Sequence, residues 1–280
     1  MRAKIELNHK VHVLTRKEEL DTVRLAGKVV VVIDILFATT TMVAALARGA
    51  ADVLPVAGEA EARAAAKDCA EGCYVLSGEL YAETLPGFAH PAPLALLEHG
   101  VEGKTLIYST TNGTVALARC ADAARVYCGA FLNAGRLAEH LATEHPHETV
   151  LIVCAGSANN FNFEDFCGAG ALVERLCARP GASADISDAA RAARLLYRGA
   201  PLPQSLLECR VGRMMAKRGL AEEVEFASQL DACPVLPVLE SGRLRLLRSP
   251  RPSSFRHDRR SSRRWFRASR WPTRSRSAWC

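Results

Sequence analysis

Val29-Val30-Val31-Val32-Ile33-Asp34-Ile35-Leu36-Phe37-Ala38-Thr39-Thr40-Thr41 is the stretch on which the fold turns. Its first five residues are apolar and β-branched without alternation, the pattern of a strand covered on both faces. The spacing predicts a strand over 29–35 and a helix over 41–48, joined by a threonine-rich turn. Asp34 breaks the apolar run. A carboxylate there is costly unless paired, hydrogen-bonded or metal-bound. Asp34 is therefore a candidate metal ligand or acid/base, with capping of the following turn as the plainer role.

The same grammar returns roughly 70 residues later in Thr105-Leu106-Ile107-Tyr108-Ser109-Thr110-Thr111-Asn112-Gly113-Thr114. Both segments place hydroxyls and backbone N–H groups at a helix N-terminus beyond the carboxyl end of a strand. In open α/β sheets ligands bind there, and helix starts attract anions. One such turn reads as an ordinary cap; two alike point to a phosphate or sulfonate site. A third element, Val150-Leu151-Ile152-Val153-Cys154-Ala155-Gly156, empties into a polar loop and then into Glu164-Asp165 at a helix start. Glu79 follows the strand candidate at 74–77. Asp34, Glu79, Glu164 and Asp165 are thus four carboxylates expected on one rim, a donor set suited to Mg²⁺, with a minority touching the metal directly.

Further strand candidates lie at 53–56, 105–108, 125–128 and 150–154, alternating with helical spacings at 59–69, 115–119, 135–141 and 164–178. This alternation predicts an α/β fold with a largely buried sheet, layered α/β/α. Beyond Pro180 the chain reads as helices at 187–197, 204–218 and 220–230, then strands at 235–239 and 244–247 around Ser241-Gly242. The domain is expected to span 1–247, with the echo marking an internal duplication into halves of about 1–145 and 146–247.

At 280 residues, 49% hydrophobic, 24% charged and 6% aromatic, the composition fits a globular enzyme and excludes collagen-like, coiled-coil and mostly disordered chains. The longest apolar run is far short of the ~20 residues of a membrane span, and the start lacks an apolar leader core. Ten cysteines without CxxC pairs fit reduced thiols in the cytoplasm. The formal net charge of +6 belongs to the tail. Residues 248–280 hold 11 arginines and one acid, leaving 25 basic and 29 acidic residues in 1–247, a net of −4. That tail, with Phe255, Trp265, Phe266, Trp271 and Trp279, is expected to be a disordered or out-of-frame extension; nucleic-acid binding would be a property of the tail alone. GxGxxG, P-loop, HExxH and GxSxG patterns are absent. His90 is expected as a loop histidine, and Cys154 as a buried small hydrophobe without an activating histidine.

Taken together, Val-Val-Val-Ile-Asp-Ile-Leu-x-Ala-Thr-Thr-Thr, Ser-Thr-Thr-Asn-Gly-Thr-x-Ala-Leu and Cys-Ala-Gly-x(7)-Glu-Asp resemble the 2-phosphosulfolactate phosphatase (ComB) family over roughly residues 4–247. The resemblance implies a three-layer α/β/α fold with internal duplication. It also implies Mg²⁺-dependent hydrolysis of (R)-2-phospho-3-sulfolactate to sulfolactate and phosphate, a step toward coenzyme M or sulfolactate. It implies metal-binding or acid/base roles for Asp34, Glu79, Glu164 and Asp165. Thr39, Thr40, Thr110, Thr111, Asn112, Gly113 and Thr114 would hold phosphate. The expected partner is a small phosphorylated acid, with a homodimer left open. The family carries arginines where this chain has Phe37, Leu80 and Val115. Arginine suits bidentate capture of oxyanions, so a second reading is a catalytically silent or substrate-shifted relative.

Overall fold

The five apolar residues at 29–33 form a strand in which each is at most 1% exposed, so both of its faces are covered. The computed structural model describes residues 10–179 and 185–247. The expectation for 248–280 lies outside the described residues. In chain order the elements are β1 (Val11–Leu14), β2 (Val29–Ile33), α1 (Ala38–Ala47), β3 (Asp52–Val56), α2 (Glu59–Lys67), β4 (Tyr74–Leu80), β5 (Glu83–Thr84) and α3 (Pro93–His99). They continue with β6 (Thr105–Ser109), α4 (Gly113–Arg119), β7 (Arg125–Gly129), α5 (Ala134–Glu144), β8 (Val150–Cys154) and α6 (Phe163–Cys177). The last are α7 (Asp188–Gly199), α8 (Gln204–Glu208), α9 (Arg210–Lys217), α10 (Ala221–Ala227), β9 (Pro237–Glu240) and β10 (Arg243–Leu246).

The strands make one 10-stranded sheet in the order β1-β8-β2-β7-β9-β10-β3-β6-β4-β5, flanked by helices in the expected three-layer α/β/α arrangement. It consists of two parallel blocks joined by an antiparallel hairpin. β1, β8, β2 and β7 run parallel in one block, and β3, β6 and β4 in the other. The hairpin β9–β10 sits between them, pairing Val238 with Tyr127 and Leu244 with Val53. Arg243 fastens it to β3, its Nη1 donating to both Asp52 oxygens at 3.1 and 3.2 Å.

The two echoed strand–turn–helix units fall in different blocks, β2–α1 in one and β6–α4 in the other. The blocks do not divide the chain at residue 145, because β7 and β8 both return to the side of β2.

Three expectations at element level need correction. The strand expected over 29–35 ends at Ile33, because Asp34 opens the turn into α1. The helix expected over 204–218 breaks at Cys209, whose ψ of 167° ends α8; its Sγ accepts from Gly212 N–H and caps α9. Gly212 lies so close to the Leu206 carbonyl that any side chain there would collide. Finally, β1, β5 and α3 were not expected. β1 is four residues long and includes His12, and α3 hides behind Pro91 and Pro93.

Candidate functional site

The carboxyl ends of β2, β4 and β6 open into a cleft of about 240 Å³. Asp34 and Phe37 come from the β2–α1 turn, Ala38 from the start of α1, Glu79 from the end of β4, and Thr110, Thr111 and Asn112 from the β6–α4 turn. Ser157 and Asn162 belong to the loop after β8, and Arg210, Val211 and Met214 to α9. The sheet thus brings both echoed turns to one place.

Asp34 is buried, 6% exposed, and accepts a hydrogen bond from the backbone N–H of Ala38 at the start of α1. Burial foremost, and then the nearby charges of Glu79 and Glu164, push its carboxyl up to about 7, against the opposing effects of the Ala38 N–H and Lys17. Thr39 pins its backbone: the hydroxyl accepts from Asp34 N–H at 2.8 Å and donates to the Asp34 carbonyl at 2.9 Å. Gly113 packs against the side chain, and a Cβ there would lie 2.7 Å from Asp34 Oδ2.

Glu79 is held by three donors. Its Oε1 accepts from Thr111 N–H at 2.6 Å and the Thr111 hydroxyl at 2.9 Å, and its Oε2 from Ala82 N–H at 2.6 Å. The Tyr81-Ala82 turn behind it has φ of 53° and 64°, left-handed backbone at two non-glycine residues.

The two helix-start acids play different parts from these. Asp165 is fully buried and off the cleft lining. Its Oδ1 accepts from Ile35 N–H at 2.9 Å, and its Oδ2 from Gly156 N–H at 3.1 Å and Asn162 Nδ2 at 3.4 Å. Those bonds tie the outlet of β2 to the outlet of β8. Glu164, 1% exposed, is likewise off the lining. Its carboxylate receives the Cys209 thiol, Oε1 has no hydrogen-bond partner, and burial raises its pKa.

Of the seven residues expected to hold phosphate, Thr110, Thr111 and Asn112 line the cleft. Thr39, Thr40, Gly113 and Thr114 lie behind it. Thr114 and Thr110 bond to one another, the Thr114 hydroxyl donating to the Thr110 carbonyl at 2.8 Å. His90 is also off the lining, its Nδ1 accepting from Ala92 N–H at 3.1 Å. Cys154 is fully buried, with its thiol pushed well up by burial.

Two cations escaped the sequence reading. Lys17, buried beyond β1, donates from Nζ to Asn112 Oδ1 at 3.0 Å and to the Ala155 carbonyl at 3.1 Å. Arg210 lines the cleft and donates from Nη2 to Ser157 Oγ and, at 2.9 Å, to Asn162 Oδ1. The polar run after Gly156 signals the loop they meet; nothing in the sequence marks the two cations.

Residues 14–242 match the 2-phosphosulpholactate phosphatase family. The chain belongs to that family. Among its relatives, a protein of Symbiobacterium thermophilum named "Probable 2-phosphosulfolactate phosphatase" is 38% identical over 226 residues, covering 80% of this chain and 96% of its own length. Identically named proteins of Caldanaerobacter subterraneus subsp. tengcongensis (34% identical, 79% of this chain and 91% of that one) and Deinococcus radiodurans (36%, 76% and 88%) are similar as well.

The three positions at which the resemblance leads to an expectation of arginine are not equivalent in place. Phe37 lines the cleft. Leu80 is 52% exposed at the end of β4, and Val115 is half-buried on α4; neither is on the lining. Of the four carboxylates expected on one rim, a minority of them on the metal, two line the cleft. Among the described residues no three His, Cys, Asp or Glu side chains converge as a metal cluster. Asp34 and Glu79 alone of the four line the cleft. Mg²⁺ typically takes one or two carboxylates together with water and substrate phosphate, so this pair is a fitting donor set. Burial first, and the neighbouring carboxylates Glu79 and Glu164 second, raise Asp34, and a bound divalent cation would oppose both effects.

Proposed function

We propose that the chain is a Mg²⁺-dependent phosphatase acting in the cytoplasm on (R)-2-phospho-3-sulfolactate or a closely related small phosphorylated acid. The observation that carries the reading is the meeting of Asp34 and Glu79 in one cleft with the β6–α4 turn. Asp34 and Glu79 would hold the cation, which when bound neutralises phosphoryl charge and activates or orients water. Thr111 and Ala82 fix Glu79 so that it needs no rearrangement to act. Asn112, oriented by Lys17 through its Oδ1, would receive a phosphoryl oxygen at its side-chain amide, while Thr110 and Thr111, whose donors are engaged with Thr114 and Glu79, shape the turn beside it. Hydrolysis forms a P–O bond from water and breaks the ester P–O bond, the departing alkoxide oxygen taking up a proton.

Support for the cytoplasm comes from nine described cysteines, all free. Among the described residues no helix is long and apolar enough to cross a membrane. A second reading, a silent or substrate-shifted relative, is favoured by one observation: Phe37 lines the cleft at a position where the resemblance leads to an expectation of arginine. The test is phosphate release by the full chain, with and without Mg²⁺, from phosphosulfolactate and a panel of phosphorylated hydroxy acids. Metal-dependent release from phosphosulfolactate supports the proposal. Release only from another ester establishes a shifted substrate, and no release from any, by folded protein, establishes the silent relative.

A further inference from the structure

The cleft lining carries charges of both signs. Asp34 and Glu79 are its carboxylates, and Arg210 is, among the described residues, the one cationic side chain on it. The lining also includes the apolar side chains of Leu36, Phe37, Val211 and Met214. Arg210 forms no ion pair with any described residue, in common with Arg119, Arg125, Arg179, Arg191 and Arg213; unlike those five it lines the cleft.

Its guanidinium is nevertheless held in place. Nη2 donates to Ser157 Oγ and Asn162 Oδ1, and Ser157 Oγ itself donates to Asn162 Oδ1 at 2.9 Å. Asn162 is in turn anchored from its amide to the buried Asp165 at 3.4 Å. A chain of hydrogen bonds therefore runs from the core to the cleft surface and orients the arginine, while Nε and Nη1 keep their N–H groups without a partner among the described residues. A guanidinium hydrogen-bonded by neutral groups, in no direct ion pair although the charge of buried Glu164 reaches it, is able to take an incoming oxyanion.

Building on the phosphatase reading, we infer that Arg210 is a specificity-determining residue that receives the single oxyanion, carboxylate or sulfonate, remote from the phosphoryl group of the substrate. The apolar side chains of the lining accommodate the carbon skeleton. Discrimination then follows from the count of remote charges. One is matched by Arg210; a second has no cation on the lining to meet it.

The test uses the full chain and three esters that shed remote charge stepwise: 2-phosphosulfolactate, 2-phospholactate and isopropyl phosphate. Arg210→Met raises KM for 2-phospholactate by about 10–100-fold, the range of a charge-assisted hydrogen bond, with kcat changed by less than about threefold. It leaves the KM of isopropyl phosphate unaltered, and Arg210→Lys recovers part of the loss. An unchanged KM for 2-phospholactate, or an equal rise for isopropyl phosphate, overturns the inference. So does a kcat loss that Arg210→Lys fails to relieve. Calorimetric titration with lactate and sulfolactate reads the site without turnover. If wild-type protein hydrolyses none of the esters yet binds these acids, and Arg210→Met abolishes binding, the phosphatase reading fails and the Arg210 site stands. Binding unaffected by Arg210→Met, or absent from wild type, sinks the site itself.

Discussion

Replacing Asp34 with asparagine removes the proposed chemistry and stabilises the metal-free fold. Its carboxyl stands at about 7 in the folded protein against an ordinary 3.8. A group of this kind binds more protons folded than unfolded between those values, so stability falls as pH rises from about 4 to about 7. At 1.36 kcal/mol per pH unit the penalty reaches about 4 kcal/mol at pH 8 and about 2 kcal/mol at pH 5. Asparagine keeps an acceptor for the Ala38 N–H, matches the neutral acid in shape, and has nothing to ionise. In chelator-treated buffer the variant therefore melts above wild type, and the gap widens by about 5–10 °C between pH 5 and pH 8. Adding Mg²⁺ narrows the gap by stabilising wild type alone. Thermal unfolding across this range is the assay. A variant that melts below wild type at pH 8, or a gap that stays constant with pH, would refute the reasoning that burial and like charge strain Asp34.

Three other substitutions separate chemistry from architecture. Gly113→Ala forces a methyl group to 2.7 Å from Asp34 Oδ2; it costs about 1–3 kcal/mol by denaturant titration and lowers phosphate release tenfold or more. Asp165→Ala strips Ile35 N–H and Gly156 N–H of their buried acceptor and costs about 3 kcal/mol in the same titration. Asp52→Asn weakens the grip of Arg243 on β3; hydrogen exchange rises first in β9 and β10, with a loss of about 1–2 kcal/mol in stability.

Much of the fold could be read because both-face burial leaves a plain signature. Val29–Ile33 and Val150–Cys154 are unbroken apolar runs, and they are also the central strands of one parallel block. The echo of 105–114 with 29–41 was legible for the same reason, since each buried strand runs through a short turn into a helix start; but Thr39–Thr41, expected as a turn before a helix at 41–48, are themselves the first turn of α1, whereas Thr110 and Thr111 precede α4. Glu164 and Asp165 show where such reading stops. Adjacent acids at a helix start look alike in sequence, yet neither reaches the cleft lining, and Asp165 is consumed by backbone N–H donors from two other segments. Arg210 and Lys17 were illegible because their positions depend on tertiary packing. Arg210 opens α9 directly after Cys209, which breaks a helix that the spacing predicts to continue. The hairpin between the parallel blocks was legible as a pair of strands but not as the join, since strand order is not written in local periodicity.

The central claim is that Asp34 and Glu79 form the working centre while Asp165 holds the frame around it. Phosphate release from 2-phosphosulfolactate in Mg²⁺, by wild type, Asp34→Asn and Glu79→Gln under conditions where all three are folded, tests it most directly. The account predicts turnover by wild type and a loss of about 10³-fold or more in each variant, the scale of removing a group that acts on the reacting phosphoryl. Turnover that survives in both variants would place the chemistry elsewhere and contradict it.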